Sequence, residues 1–118
     1  MPVLGDQTIV ALSKVLDALS LRHEVTADNI ANVNTPGFKA RRVLFEDQLK
    51  AAISRGDPGS WQPTIEEDHL SVRRDGNSVD IDLEMACLAE TTMMYSAMSR
   101  LVSDRFSLLK YVISEGRR

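Results

Sequence analysis

The sequence predicts an all-α fold in which two long amphipathic helices, one at each terminus, pair as an antiparallel, coiled-coil-like hairpin across a short, largely irregular middle segment. Apolar residues recur at alternating spacings of three and four through the first third of the chain and again through the last third. The stretch between is rich in breakers and charges. At 118 residues, with 43% apolar and 26% charged residues, there is room for one domain with a modest core, so residues 1–118 are read as a single unit.

The first helix is expected over residues 6–34. Ile9, Leu12, Leu16, Leu19, His23, Thr26, Ile30 and Val33 form its stripe, and Asp6 is placed to cap its start. Pro36 and Gly37 end it, because proline disfavours helix in the residue before it and glycine frees the turn. Residues 35–79 form the connection. Within it Phe45, Leu49 and Ile53 are spaced for a short amphipathic helix at 45–53, and residues 56–60 are dense in breakers. Residues 70–73 are a brief extended candidate, and Asp75, Gly76 and Asn77 signal a turn.

The second long helix is expected over residues 80–114. Cys87, Thr91, Met94, Met98, Leu101, Arg105, Leu108 and Val112 lie on one line, with Leu88, Tyr95, Val102 and Leu109 beside it. Asp80, Asp82 and Glu84 suit the positive end of its dipole, and Lys110 suits the other. This apolar face is wider than one antiparallel partner covers. Partner helices are therefore expected to cover the flanks, and the terminal segments to gain order on assembly.

Net charge is −3, and its distribution narrows the function classes. Residues 1–34 carry 2 bases and 4 acids, 35–78 carry 7 and 7, and 79–118 carry 5 and 6. No third offers the concentrated basic face that nucleic acid requires. Charges interrupt every apolar stretch before the roughly 20 residues a membrane span needs, so direct membrane insertion is not expected either. Residues 1–5 lead into Asp6 without a basic stretch followed by an apolar run, so no Sec-type signal peptide is expected.

Candidate chemistry is sparse. Asp80, Asp82 and Glu84 alternate as in some oxygen-ligand sites but splay apart on a helix, and His69 and His23 lie on separate elements, so no metal set is expected. Cys87 lacks a CxxC companion and sits in an apolar stripe as a structural thiol. No nucleophile elbow or phosphate loop occurs, and the expectation is no enzyme, no cofactor and no metal. Met85, Met93, Met94 and Met98 suit an adaptable groove and an irregular core equally well. Arg41–Arg42 and Arg73–Arg74 are interspersed with acids and read as a solvated face.

The most specific stretch is residues 28–41, Asp-Asn-Ile-Ala-Asn-Val-Asn-Thr-Pro-Gly-Phe-Lys-Ala-Arg. Asn29 and Asn32 lie one turn apart and can bond exposed backbone groups, and Asn34, Thr35, Pro36 and Gly37 redirect the chain before Phe38 anchors it. This segment resembles the N-terminal signature shared by flagellar rod and hook axial proteins. A second match begins at Gly76, Asn77, Ser78 and Val79, continues through Asp80, Ile81, Asp82, Leu83, Glu84 and Met85, and resumes at Leu88, Ala89, Glu90 and Tyr95. With Arg105, Phe106, Leu109, Lys110 and Ile113, it is most similar to the proximal rod members of that family.

The resemblance implies a structural subunit of the bacterial flagellar basal-body rod, exported unfolded through the flagellar type III apparatus without signal cleavage. It implies a place in the rod where that crosses the periplasmic space. Implied partners are further copies of itself, other rod proteins, the adaptor at the rod base and, during export, the secretion gate. On this reading Asn29, Asn32, Thr35, Pro36, Gly37 and Phe38 position the first helix, and Leu12, Leu16, Leu19, Ile30, Leu101, Leu108 and Val112 form the assembly seam. A cytoplasmic helical adaptor is the alternative that the same two helices would serve.

Overall fold

The computed structural model describes residues 6–69 and 72–116; the side chain of Asp6, and with it the expected cap, lies outside the described residues, as do residues 70 and 71 of the expected extended stretch. Helix α1 spans Asp6–Ala31, and the turns that follow close with Thr35 N–H on Asn32 O (3.0 Å) and Phe38 N–H on Thr35 O (3.2 Å), ending the helix three residues before the expected boundary at 34. Helix α3 spans Ile81–Gly116. Asp80 Oδ1 accepts the N–H groups of Asp82 (3.1 Å) and Leu83 (3.3 Å), donors that a helix start otherwise leaves unpaired.

The middle segment departs from the expectation of an irregular, all-α connection. Helix α2 occupies Glu46–Ser54, and it is flanked by strands β1 (Arg41–Leu44) and β2 (Thr64–Glu67), which pair antiparallel with Arg41 opposite Glu67, Arg42 opposite Glu66, Val43 opposite Ile65 and Leu44 opposite Thr64. The fold is therefore mainly helical with a small two-stranded sheet. Two strands of four residues each show too few alternations to announce themselves, and the arginines that stand opposite Glu67 and Glu66 form their ion pairs elsewhere, Arg41 with Asp28 and Arg42 with Glu84 and Asp68.

Helix α1 holds β1 and the loop before β2 through polar side chains that reach backbone carbonyls. Lys14 Nζ donates to Gly59 O (2.8 Å) and Trp61 O (2.5 Å), Arg22 Nη2 to Val43 O (2.6 Å), and Asn29 Nδ2 to Arg41 O (2.9 Å). Trp61 stacks on Phe45 with ring centroids 5.4 Å apart, and Lys14 and Arg22 cap the two outer faces of that pair at 5.4 and 4.7 Å. The core consequently lies between α1 and the middle segment as much as between the helices. Val15, Ala18, Leu19 and Val25 of α1 meet Val43, Phe45, Ala52 and Trp61, with Met94 and Met98 of α3 closing the other side.

Helices α1 and α3 run antiparallel, with Asn29 near the end of one against Glu84 in the first turn of the other. They start level there. Because α3 has 36 residues and α1 has 26, about ten residues of α3, roughly 15 Å, project beyond α1 at the far end. The molecule measures 69 × 26 × 14 Å, and its radius of gyration of 18.4 Å exceeds the roughly 13 Å of a compact chain this long.

Candidate assembly node and helix surface

The two specific sequence segments meet at one place. Asn29, fully buried, accepts the N–H of Arg41 on Oδ1 (3.0 Å) and donates from Nδ2 to Arg41 O (2.9 Å), standing where a neighbouring strand would pair with β1. The same amide donates to Glu84 Oε2 at 2.9 Å. Asn32 donates to Asp28 O (2.8 Å) and accepts the Thr35 hydroxyl (3.0 Å), which shapes the first turn after α1. Gly37 has φ +77° and donates its N–H to Asp75 O (2.9 Å), while Phe38, half-buried, offers its carbonyl to Ser78 N–H (3.0 Å). Thr35 and Pro36 face solvent.

Asn77 joins these turns to the start of α3. Fully buried, it donates from Nδ2 to the carbonyls of Asn32 (2.9 Å), Val33 (3.2 Å) and Thr35 (2.8 Å), and it accepts the Val79 N–H on Oδ1 (2.7 Å). These carbonyls belong to the turns just beyond α1, and those of Asn32 and Thr35 also take the N–H groups of Thr35 and Phe38. Ser78 Oγ takes the Ala40 N–H (2.8 Å), Arg73 reaches the carbonyls of Val79 (3.3 Å) and Val33, and Lys39 reaches Gly76 O. Asn77, Ser78, Lys14, Arg22 and Trp61 had no site role in the sequence reading. The turn signal at Asp75, Gly76 and Asn77 marked the place without marking its partner.

Gly76 makes the node tight. Its φ is +84°, and a Cβ there would stand 3.3 Å from the Cα of Gly37 and 3.7 Å from its nitrogen. At Gly37 a Cβ would meet nothing within 4 Å. Gly76→Ala is thus expected to cost about 1–3 kcal/mol from backbone strain plus crowding, and Gly37→Ala the smaller, strain-only share. Denaturant midpoints of the two variants check the order, with an equal cost counting against the close approach.

Two carboxyls on this side of the molecule have perturbed proton affinity. Burial pushes Glu46 up, but the hydrogen bond from Arg22 and nearby backbone donors outweigh it and hold the carboxyl below its ordinary 4.5. The Asn77 N–H does the same for Asp75, whose ordinary value is 3.8. A depressed folded-state value contributes stability that is present above the unfolded value and is lost as pH falls through the folded one. Glu46→Gln is accordingly expected to lose less stability than the parent as pH falls below 4.5, measured by denaturation at a series of pH values.

The seam residues divide. Leu19 is fully buried, Leu12, Leu16 and Ile30 are half-buried, and Leu101, Leu108 and Val112 are 46, 46 and 47% exposed. Within one subunit the hairpin brings Leu19 to Met94 and Met98 but gives Leu101, Leu108 and Val112 nothing comparable. Tyr111 and Ile113 are exposed on other sides of the projecting stretch, and Phe106 is exposed where it begins. Among the described residues no three His, Cys, Asp or Glu side chains converge to hold a metal, and no helix is long and apolar enough to cross a membrane.

Comparison with known proteins fits this geometry. Residues 15–39, the last two-thirds of α1 and the turn that Asn77 caps, match the family model described as "Flagella basal body rod protein". That places the chain among the structural subunits of the basal-body rod, which are not enzymes and which assemble with other rod components. The chain is 38% identical to flagellar basal body rod protein FlgB of Borrelia hermsii, over 85% of this chain and 90% of that protein. It is 30% identical to FlgB of Bacillus subtilis strain 168 (93% and 95% covered) and 30% identical to FlgB of Escherichia coli K12 (94% and 98% covered). The chain belongs to the FlgB family.

Proposed function

We propose that this subunit polymerises through its terminal helices to form part of the proximal rod, contributing to the drive shaft and to the wall of the export channel. The observation that carries the reading is the outer part of α3, which projects about 15 Å past α1 with exposed apolar residues on several sides and no cover from the other described residues. Leu12, Leu16, Ile30, Leu101, Leu108 and Val112 are its contact residues toward neighbouring copies and other rod proteins. Leu19 instead holds the hairpin together. Asn29, Asn32, Thr35, Pro36, Gly37 and Phe38 fix the end from which both helices run.

The adaptor at the rod base receives the first copies on this reading, and the type III export gate passes the chain without signal cleavage to the rod in the periplasmic space. An elongated molecule with little core beyond one end suits a chain that is threaded first and folded afterward. The test is removal of the gene and replacement by a tagged copy. Swimming should be lost and restored, and purified basal bodies should contain the full-length chain with its N-terminus intact. Normal swimming without the gene, or a chain confined to the cytoplasmic fraction, would overturn the proposal and favour the adaptor.

A further inference from the structure

Glu84 is completely buried, although it lies in the first turn of α3, where acids normally stay in water and complement the helix dipole. Its Oε2 accepts from Asn29 at 2.9 Å, and its Oε1 lies 2.5 Å from Arg42 Nη1, a close charge contact without hydrogen-bond alignment. Arg42 stands on β1 and approaches Asp68 as well, at 3.8 Å. One carboxylate therefore ties together α1, β1 and α3. A buried ion pair is a poor source of stability, since desolvation offsets most of its attraction; its best-attested use is to choose one packing among several.

The apolar seam of α3 leaves such a choice open. The row now facing α1 is Glu84, Cys87, Thr91, Met94 and Met98. The next row around, Met85, Leu88, Thr92, Tyr95 and Ser99, would replace it if α3 turned about its axis by one residue, about 100°. It contains three large apolar side chains and no charge, so burial alone does not select the observed row. Methionines adapt to either packing. Asn77 and Ser78 fix where α3 begins, but they act before its first residue and do not restrain rotation along its length.

We infer that Glu84, through Arg42 and Asn29, is the positioning residue that sets the rotational phase of α3 and so decides which way the side chains of its projecting end face. Phase fixed at residue 84 is carried rigidly to Leu108 and Val112, more than six helical turns away, roughly 36–42 Å. The inference concerns the fold of the single subunit and holds whether or not the rod reading does.

The experiment uses the full-length chain with Cys87→Ala and a single reporter cysteine at either of two adjacent threonines, Thr91→Cys (parent residue 3% exposed) or Thr92→Cys (exposed), with maleimide labelling under native conditions. In the parent phase the Thr92→Cys reporter should label at least about ten-fold faster than the Thr91→Cys reporter. Arg42→Met with Glu84→Leu removes both charges together and so leaves no unpaired buried ion. The labelling ratio should then collapse to within about two-fold, with helicity by circular dichroism retained. An unchanged ratio in a helical double variant overturns the inference. Should the double variant lose its helicity, Glu84→Gln decides: it keeps shape and an acceptor for Asn29 but offers Arg42 no charge, and a ratio that falls by about three-fold or more supports the phase role, while an unchanged one overturns it.

Discussion

Leu101→Asp is expected to abolish swimming while leaving the free subunit folded and about as stable as the parent. Leu101 is 46% exposed on α3, on a side that neither α1 nor the middle segment covers. In the isolated chain a carboxylate there stays hydrated, and an exposed substitution of this kind shifts stability by about 0.5 kcal/mol or less. In a polymer the same position must be dehydrated against a neighbour, which costs several kcal/mol by rough transfer estimates, and every copy repeats the cost. Leu19→Asp is the control of opposite kind, because Leu19 is fully buried within the subunit and an acid there should unfold it. Two measurements, the thermal midpoint of purified protein and the swimming halo, separate the cases. Normal swimming by the Leu101→Asp strain would remove this face of α3 from the assembly surface.

The long helices were legible because a spacing of three and four survives any detail of packing, and Pro36 and Gly37 can hardly sit inside a helix. Which face of α1 is buried was less so. Of the expected stripe Leu19 and Thr26 are buried, but His23 is exposed and Leu12, Leu16 and Ile30 are only half-buried, whereas Val15, Ala18, Val25 and Asn29, off that stripe, are covered. A periodicity argument assumes one partner. Here α1 has two, α3 on one side and the middle segment on the other, and the second draws the buried stripe around the helix toward residues that the spacing had assigned elsewhere.

The middle segment illustrates a different limit. Trp61 lies among Ser60, Gln62 and Pro63 with no periodic neighbour, yet it is buried on Phe45 and clamped by Lys14, forty-seven residues upstream. The sheet was invisible for the same reason, since β1 is secured by Asn29 and Arg22 and not by a pattern of its own. Glu84 suited a helix start so well that a solvated acid was the natural reading. Only the arrival of Arg42 and Asn29 in space makes it a buried one. The motif residues, by contrast, were conspicuous as a group, because asparagines, proline and glycine crowded into so few positions signal backbone groups that need partners. The chief partner, Asn77, lies more than forty residues away, beyond the reach of any local argument.

Asn77→Ala is expected to destabilise the subunit by about 2–4 kcal/mol, as much as a substantial core truncation. The side chain fills two roles at once. Its amide N–H groups serve the carbonyls of Asn32, Val33 and Thr35, and its oxygen takes the N–H of Val79. Alanine leaves the buried Val79 N–H without this acceptor and strips the turn beyond α1 of its cap, at about 1–3 kcal/mol for a buried group left unsatisfied and about 1 kcal/mol for a lost cap. Asn77→Asp should be worse than alanine, since it keeps the shape but turns a negative oxygen toward three carbonyl oxygens. Asn34, exposed in the same run of residues, gives the internal comparison, and Asn34→Ala should stay within about 0.5 kcal/mol of the parent. Urea denaturation of the three variants ranks them. If Asn77→Ala and Asn34→Ala melt together, the node is not what joins the end of α1 to the start of α3.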